Sequence, residues 1–163
     1  MEALGVDIGG TGIKGAPVDT ASGRLLAERF RLQTPHPATP QAVTNAVSEI
    51  ANYFDWQGPV GCGFPAVIRG GIVHTAVNVD ATWVGTNAQL LFEQDMGFRF
   101  IVANDADVAG LAEMRFGAGR GRDGVVLVVT LGTGIGSALF FSGQLVPNTE
   151  LGHIELKGME AEL

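Results

Sequence analysis

The chain has 163 residues, of which 46% are hydrophobic and 17% charged, and this composition is typical of a folded protein with one good hydrophobic core. Its formal net charge of −7 argues against a general nucleic-acid binder, because such proteins carry an excess of basic surface. No run approaches the roughly 20 apolar residues of a membrane span, and no targeting signal is recognisable. We therefore expect a cytoplasmic protein that binds neither nucleic acid nor membrane.

The predicted elements alternate between strands and helices. Strands are predicted over 3–8, 13–19, 24–32, 58–64, 68–74, 98–103, 125–131 and 137–141. Helices are predicted from the cap Thr39 and Pro40 to about residue 54, over 87–95 behind Thr86, and over 105–116. The run 125–131 is apolar except for Thr130, which favours a central strand. This order of elements predicts an α/β fold with a mixed sheet flanked by helices.

Residues 7–15 read DIGGTGIKG and contain the dinucleotide-binding pattern G-x-G-x-x-G. That pattern requires a helix at its third glycine, whereas the residues after Gly15 predict a strand. A Walker A loop is also excluded, because Lys14 is followed by glycine and not by serine or threonine. What remains is the tip of a hairpin that carries Asp7 and Lys14, where backbone N–H groups of a glycine-rich turn can hold phosphate.

A second glycine-rich turn, Gly132-Thr-Gly-Ile-Gly136, follows the apolar run, and Asn104-Asp105 lies between the two turns. The segments Asp7–Lys14 and Leu131–Gly136 are similar to the two phosphate loops of sugar kinases in the actin and hexokinase superfamily. With NDADVAGLAE at 104–113 and ELGH at 150–153, the sequence resembles the ROK family of repressors and sugar kinases. Within that family, the segments NVD at 78–80, GAGRGR at 117–122 and PNTELGH at 147–153 are most similar to bacterial polyphosphate glucokinases.

The resemblance covers essentially the whole chain, and it implies an actin/hexokinase-type fold, which is ribonuclease H-like. Residues 1–104 would form the N-terminal sugar-kinase domain, and 105–163 the beginning of a truncated C-terminal domain. Family members continue well beyond the matching region, so we expect exposed apolar strands that need a homodimeric partner or a swapped copy.

The resemblance also implies roles for individual residues. Asp105 would be the catalytic base that accepts the proton of the sugar 6-hydroxyl, and a position in the first turn of a helix would keep it anionic. Asp7 would hold Mg²⁺, directly or through a bound water. The sugar-binding residues would be Asn78, Asn104, Asp105, Glu150 and His153, and the phosphate-binding residues Gly9, Gly10, Thr11, Gly12, Lys14, Gly132, Thr133 and Gly134. Arg120 and Arg122 are predicted to hold polyphosphate, because an arginine fork binds phosphate oxygens bidentately.

The implied activity is transfer of a phosphoryl group from inorganic polyphosphate, or ATP, to glucose, with Mg²⁺ as cofactor. The alternatives are an ATP-dependent ROK kinase for another hexose such as mannose, a non-catalytic sugar sensor, and an inactive fragment that only self-associates. The sensor is disfavoured, because family repressors carry a DNA-binding module before the first phosphate loop.

Two departures from the family pattern stand out. The cysteine cluster that binds structural zinc in many members is absent, because Cys62 is the single cysteine, so no zinc site is expected. Ala66 stands where the family usually has glycine after the proline of a sugar loop.

Overall fold

The computed structural model describes residues 1–132, 134–156 and 159–160, with the side chains of 153, 155, 156, 159 and 160 left aside. The chain divides into two compact units, Met1–Asp105 and Ala106–Leu163. The boundary lies one residue after the one predicted from the sequence.

A mixed sheet forms the centre of the first unit. Its strands and those of a separate small hairpin are, in chain order, β1 (Glu2–Ile8), β2 (Gly12–Asp19), β3 (Arg24–Leu25), β4 (Phe30–Gln33), β5 (Val60–Phe64), β6 (Ile68–Arg69), β7 (Ile72–Val73) and β8 (Phe100–Asn104). The sheet order is β3-β2-β1-β5-β8, with β4 paired to β2, while β6 and β7 pair with each other. β1 is antiparallel to β2 and parallel to β5, which is parallel to β8. The predicted mixed sheet is therefore confirmed.

The helices of the first unit begin at side-chain caps. In α1 (Pro40–Tyr53), the Thr39 side chain accepts a hydrogen bond from the Ala42 N–H, as its sequence predicts. In α2 (Ala88–Met96), the cap is Asn87, which accepts from the Leu90 N–H. The prediction of Thr86 as the cap was therefore wrong by one residue, and the Thr86 hydroxyl instead donates to the Thr82 carbonyl.

The hydrophobic core of the first unit lies between the sheet and these helices. Its largest buried side chains are aromatic: Trp83, Phe64, Phe92 and Phe100. The Trp83 indole N–H donates to the Ala38 carbonyl over 2.9 Å, so its one polar atom is satisfied inside the core. Gly15 of β2 lies directly against Ile50 of α1, where a Cβ would collide with the isoleucine. The third glycine of the G-x-G-x-x-G pattern thus serves packing of a strand against a helix, and no helix starts there.

The second unit contains most of α3 (Asp105–Phe116), followed by the hairpin of β9 (Val125–Leu131) and β10 (Ile135–Phe141). β11 (Gln144–Val146), a short 3-10 helix (Leu151–His153), β12 (Glu155–Leu156) and β13 (Met159–Glu160) complete it. α3 packs on β10 through Gly110, where a Cβ would lie 2.5 Å from the Cβ of Ala138. Among the described residues, no helix combines the length and the apolar character that a membrane span needs.

Three strand predictions needed correction. The segment 24–32 forms two short strands, β3 and β4, that pair with different parts of β2. The segment 68–74 is a hairpin, because Gly70 and Gly71 adopt positive φ and turn the chain. Within the described residues β9 is the edge of the sheet β11-β10-β9, and its side chains Val125 and Leu131 are 70% and 82% exposed. An apolar run indicates that a strand tends to be buried, but it does not determine whether that strand lies at the centre or at the edge of its sheet.

Candidate active site

A row of charged side chains crosses three neighbouring strands of the first unit. Asp7 on β1 is the register partner of Lys14 on β2, which is the partner of Arg31 on β4. Partners that lie directly opposite each other in adjacent strands point to the same face of a sheet. The Lys14 ammonium lies 3.6 Å from Oδ2 of Asp7, so this pair forms an ion pair that is open to solvent. We call Asp7, Lys14 and Arg31 the charged row.

Asp105 stands beside the acidic end of this row. Gly63 on β5 is the register partner of Asp7, and a Cβ at Gly63 would lie 3.8 Å from Oδ1 of Asp7 and 3.4 Å from Cα of Asp105. The two aspartates therefore flank one glycine, at the carboxyl ends of β1, β5 and β8. Ligands bind at this edge of open α/β sheets.

The neighbour of Asp105 is fixed by a buried hydrogen bond. Asn104, which ends β8, is only 5% exposed, and its side-chain N–H donates to the Ala66 carbonyl over 3.2 Å. Ala66 is itself buried, so the alanine at this departure from the family pattern is accommodated within the core. The bond ties the segment after β5 to the start of α3.

Hydrogen bonds of its carbonyl groups hold the first glycine-rich turn, residues 9–12, which we call the first phosphate loop after its predicted role. The Gly9 N–H donates to Gly12 over 3.1 Å, the Thr34 hydroxyl donates to the Gly9 carbonyl over 2.5 Å, and the Arg31 guanidinium donates to the Thr11 carbonyl over 3.2 Å. Within the described part of the chain, the N–H groups of Gly10 and Thr11 make no hydrogen bond. Successive free N–H groups at a glycine-rich turn form a concave site for an anion.

Asn78 lies against this loop. A Cβ at Gly10 would be 3.6 Å from the Asn78 Cβ and 3.9 Å from its side-chain oxygen. The structure therefore brings Asn78 to the phosphate loop, and its predicted contact with sugar stays a prediction.

The second glycine-rich turn joins β9 to β10, as predicted, and the Gly132 N–H donates to the Gly134 carbonyl over 3.0 Å. Thr133 lies outside the described residues. Gly136 is packed tightly, since a Cβ there would collide with the Thr130 hydroxyl and lie 3.0 Å from the Cβ of Ala106. The turn is therefore anchored at the first turn of α3.

The segment 147–150 has an unusual backbone. Asn148 and Glu150 adopt left-handed φ values of 57° and 41°, although neither is glycine. The Asn148 N–H donates to Oδ2 of Asp107 over 2.8 Å, and the Leu151 N–H donates to the Ser137 hydroxyl over 2.9 Å. Strained backbone of this kind persists where its surroundings hold it, and it clusters at ligand sites.

Asp107, which anchors this segment, is 2% exposed. Burial raises the pKa of its carboxyl group, and the hydrogen bond from the Asn148 N–H opposes that rise. Sequence reasoning passed over Asp107, although its spacing two residues after Asp105 in the first turn of a helix was a signal. His153 lies in the 3-10 helix of residues 151–153, but its side chain is outside the described part of the structure.

Arg120 and Arg122 lie in the exposed loop before β9. The second glycine-rich turn lies at the other end of that strand, whose seven residues span roughly 20 Å. The structure therefore does not bring these arginines to that turn, and their role with polyphosphate stays a prediction.

The charged residues at this site suit a magnesium ion held by one carboxylate better than a metal site with three or more protein ligands. Among the described residues, no group of three or more His, Cys, Asp or Glu side chains is arranged to hold a metal. Mg²⁺ in phosphoryl-transfer sites needs only one or two carboxylates, together with water and phosphate oxygens. The Asp7 side chain, which is 56% exposed at the phosphate loop, meets that requirement. Cys62 is buried on β5, and burial raises the pKa of its thiol.

Comparison with known proteins agrees with this geometry. The sequence profile described as "ROK family" matches residues 3–162. The chain belongs to the ROK family. This ROK chain is 50% identical over 160 residues to the polyphosphate glucokinase of Mycobacterium tuberculosis strain H37Rv, and the match covers 98% of the chain and 60% of that relative.

Solved structures show the same fold. The inorganic polyphosphate/ATP-glucomannokinase of Arthrobacter sp. strain KM superposes with a TM-score of 0.95 at 52% identity, over 99% of this chain and 66% of that one. A ROK glucokinase from Streptomyces griseus, solved with glucose and AMPPNP, gives a TM-score of 0.85 at 33% identity, over 96% and 51%. The predicted hexokinase-type fold is thus confirmed, and the chain spans about 60% of the length of the curated polyphosphate glucokinase that it matches.

Proposed function

We propose that this chain carries the phosphoryl-transfer site of a kinase that makes glucose 6-phosphate from glucose and inorganic polyphosphate, with ATP as a second donor. The observation that carries the proposal is the placement of Asp105 and Asp7 on either side of Gly63, at the end of the charged row. A carboxylate for the acceptor hydroxyl, a carboxylate for Mg²⁺ and a cation with a phosphate loop are the parts that this reaction needs. The names of the relatives support the same reaction.

Asp105 is the general base in this proposal. It accepts the proton of the sugar 6-hydroxyl as that oxygen forms a bond to the terminal phosphorus and the bond from phosphorus to the bridging oxygen of the donor breaks. The remaining polyphosphate or ADP leaves with the electron pair of that bond. Asn104 is held by Ala66 directly beside this base, which suits a role in orienting the sugar.

The charge of the donor is met by the first phosphate loop. Lys14 and the free N–H groups of Gly10 and Thr11 receive phosphate oxygens. Mg²⁺ bound through Asp7, directly or through water, would neutralise phosphate charge. Fixed donors of this kind need no reorganisation during the reaction, which is why they lower its barrier.

Sugar specificity is assigned to Asn78, Glu150 and His153 with Asn104. Hydrogen-bonding groups fixed in position reject a wrong hydroxyl pattern, because that pattern leaves a polar group unpaired. A second candidate substrate is mannose, which the name of the Arthrobacter relative favours.

We also propose a cytoplasmic homodimer, which sedimentation of the chain would test. The exposed apolar side chains of β9 support an association of this kind.

The test is the Asp105→Asn variant, assayed for glucose phosphorylation with polyphosphate and with ATP. We expect kcat to fall by about three orders of magnitude, while the sugar dissociation constant changes only a few-fold. Asp95→Asn, an exposed carboxylate on α2, is the matched control and should leave the rate unchanged. Substantial turnover by the Asp105 variant would remove this residue from the role of base.

A further inference from the structure

A second cation lies at the first phosphate loop, on a strand that carries none of the recognised motifs. The Arg31 guanidinium donates to the Thr11 carbonyl over 3.2 Å. It also lies close against Gly12, where a Cβ would be 2.7 Å from Nε and 3.0 Å from Cζ of the arginine. The absence of a side chain at residue 12 is therefore what admits the guanidinium to the loop.

The electrostatics of this position favour an anion. Arg31 lies directly opposite Lys14, and like charges in that arrangement destabilise a pair of strands. Lys14 has Asp7 as its partner, whereas no carboxylate of the described residues lies within ion-pair distance of Arg31. Of the two adjacent cations, only Lys14 is thus paired with a carboxylate, and both lie beside the free N–H groups of Gly10 and Thr11. A ligand with several negative groups would remove the repulsion.

The order of the groups gives this ligand a direction. From the end of β8, across β5, β1 and β2 to β4, the order is Asp105, Asp7, Lys14 and Arg31. The acceptor hydroxyl lies at Asp105 in the proposed function, on which this inference rests. The donor must then extend past Lys14 toward Arg31.

We propose that Arg31 binds the phosphate units of a linear polyphosphate that follow the unit being transferred. A guanidinium suits that role, because it stays charged and its planar fork holds two phosphate oxygens. One N–H of the fork is used on Thr11, which orients the group, and the exposed remainder faces solvent. Arg31 is thus a donor-binding residue, and it takes no part in proton transfer.

Binding of inorganic tripolyphosphate, with Mg²⁺, to the full chain tests this proposal by calorimetry. Arg31→Ala should weaken binding about tenfold, and Arg31→Lys by less, because lysine keeps the charge and loses the fork. Arg24→Ala is the matched control. Arg24 is an exposed arginine on β3 opposite Asp19, at the far end of β2 and roughly 17 Å from Arg31 along the strand. It should change binding less than twofold.

Gly12→Ala provides an independent variant. The new methyl group displaces the guanidinium, so this variant should weaken tripolyphosphate binding as Arg31→Ala does. The variant with both substitutions should bind tripolyphosphate as tightly as either single variant. Circular dichroism of each variant checks that the fold persists. Additive losses would contradict the proposed contact.

Three results would overturn the proposal: no binding of tripolyphosphate by the unmodified chain, no loss in Arg31→Ala, or equal losses in Arg31→Ala and Arg24→Ala. The last result would mean that tripolyphosphate binding depends on the total positive charge of the chain and not on a contact with Arg31. Glucose phosphorylation, measured in parallel, separates this proposal from the proposed function. Selective binding through Arg31 without turnover by the unmodified chain would support the site and contradict the kinase.

Discussion

Replacement of Asp107 by alanine tests how the segment 147–150 is held. The change removes the acceptor of the Asn148 N–H, a 2.8 Å bond to a carboxylate that is 2% exposed. Loss of a buried acceptor costs about 1–3 kcal/mol. The segment contains two left-handed residues, Asn148 and Glu150; each such conformation costs of order 1–3 kcal/mol and persists only where its surroundings enforce it. We therefore expect the segment to relax, and the chain to lose about 1–3 kcal/mol of stability.

The functional consequence follows from the role proposed for Glu150 in sugar binding. Relaxation of its segment should raise the Michaelis constant for glucose about five- to tenfold, which corresponds to about 1–1.4 kcal/mol, while the constant for the phosphoryl donor stays the same. Asp107→Asn keeps an oxygen acceptor for the Asn148 N–H. Its loss of stability and its rise in the Michaelis constant for glucose should be less than half of those in Asp107→Ala. Urea unfolding and steady-state kinetics measure the two effects.

The pH dependence of stability provides a further check on Asp107. Burial raises its pKa in the folded chain, so the folded state holds this proton at higher pH than the unfolded state does. Its contribution is therefore most favourable below the usual carboxyl pKa, and it is lost as the pH rises through the raised value. The free energy of unfolding should show this fall in the unmodified chain and not in Asp107→Asn. An alanine variant with unchanged stability and an unchanged Michaelis constant for glucose would show that the hydrogen bond to Asp107 does not hold this segment.

Two other variants test the arginines predicted to bind polyphosphate and the core of the first unit. Arg120→Ala combined with Arg122→Ala should raise the Michaelis constant for long-chain polyphosphate at least about tenfold. The constants for tripolyphosphate and ATP should change less, because these arginines lie a strand length from the second glycine-rich turn. Equal increases for all three donors would mean that the arginines only shape their loop. Gly15→Ala should lower the stability by about 1–3 kcal/mol in urea unfolding, because its methyl group would collide with Ile50; an unchanged midpoint would show that the helix shifts freely.

Local patterns predicted the elements with strong signals. The hairpin of β1 and β2, the helix behind Thr39 and the helix from Asp105 have the predicted type and nearly the predicted bounds. Each depends on periodicity, a cap or a glycine-rich turn, which are properties of a few consecutive residues. The same patterns placed Asp7, Lys14 and Asp105 at strand ends, so the centre of the candidate site could be predicted.

Features that depend on distant parts of the chain could not be predicted in this way. Arg31 reaches the phosphate loop because β4 pairs with β2 in one register, and a register between segments 17 residues apart is not written in either segment. The anchor from Asp107 to Asn148 joins residues 41 positions apart. The edge position of β9 likewise depends on which strands lie beside it.

In the proposed function, the charged row and Asp105 transfer a phosphoryl group to the 6-hydroxyl of glucose. Phosphorus NMR of the full chain with glucose, Mg²⁺ and tripolyphosphate tests it most directly, because it identifies the bond that forms. We expect a growing phosphomonoester signal at the 6-position of glucose, with loss of one terminal phosphate from the donor, and no such signal with Asp105→Asn. Transfer to another hydroxyl, release of orthophosphate alone, or an unchanged signal with Asp105→Asn would contradict it.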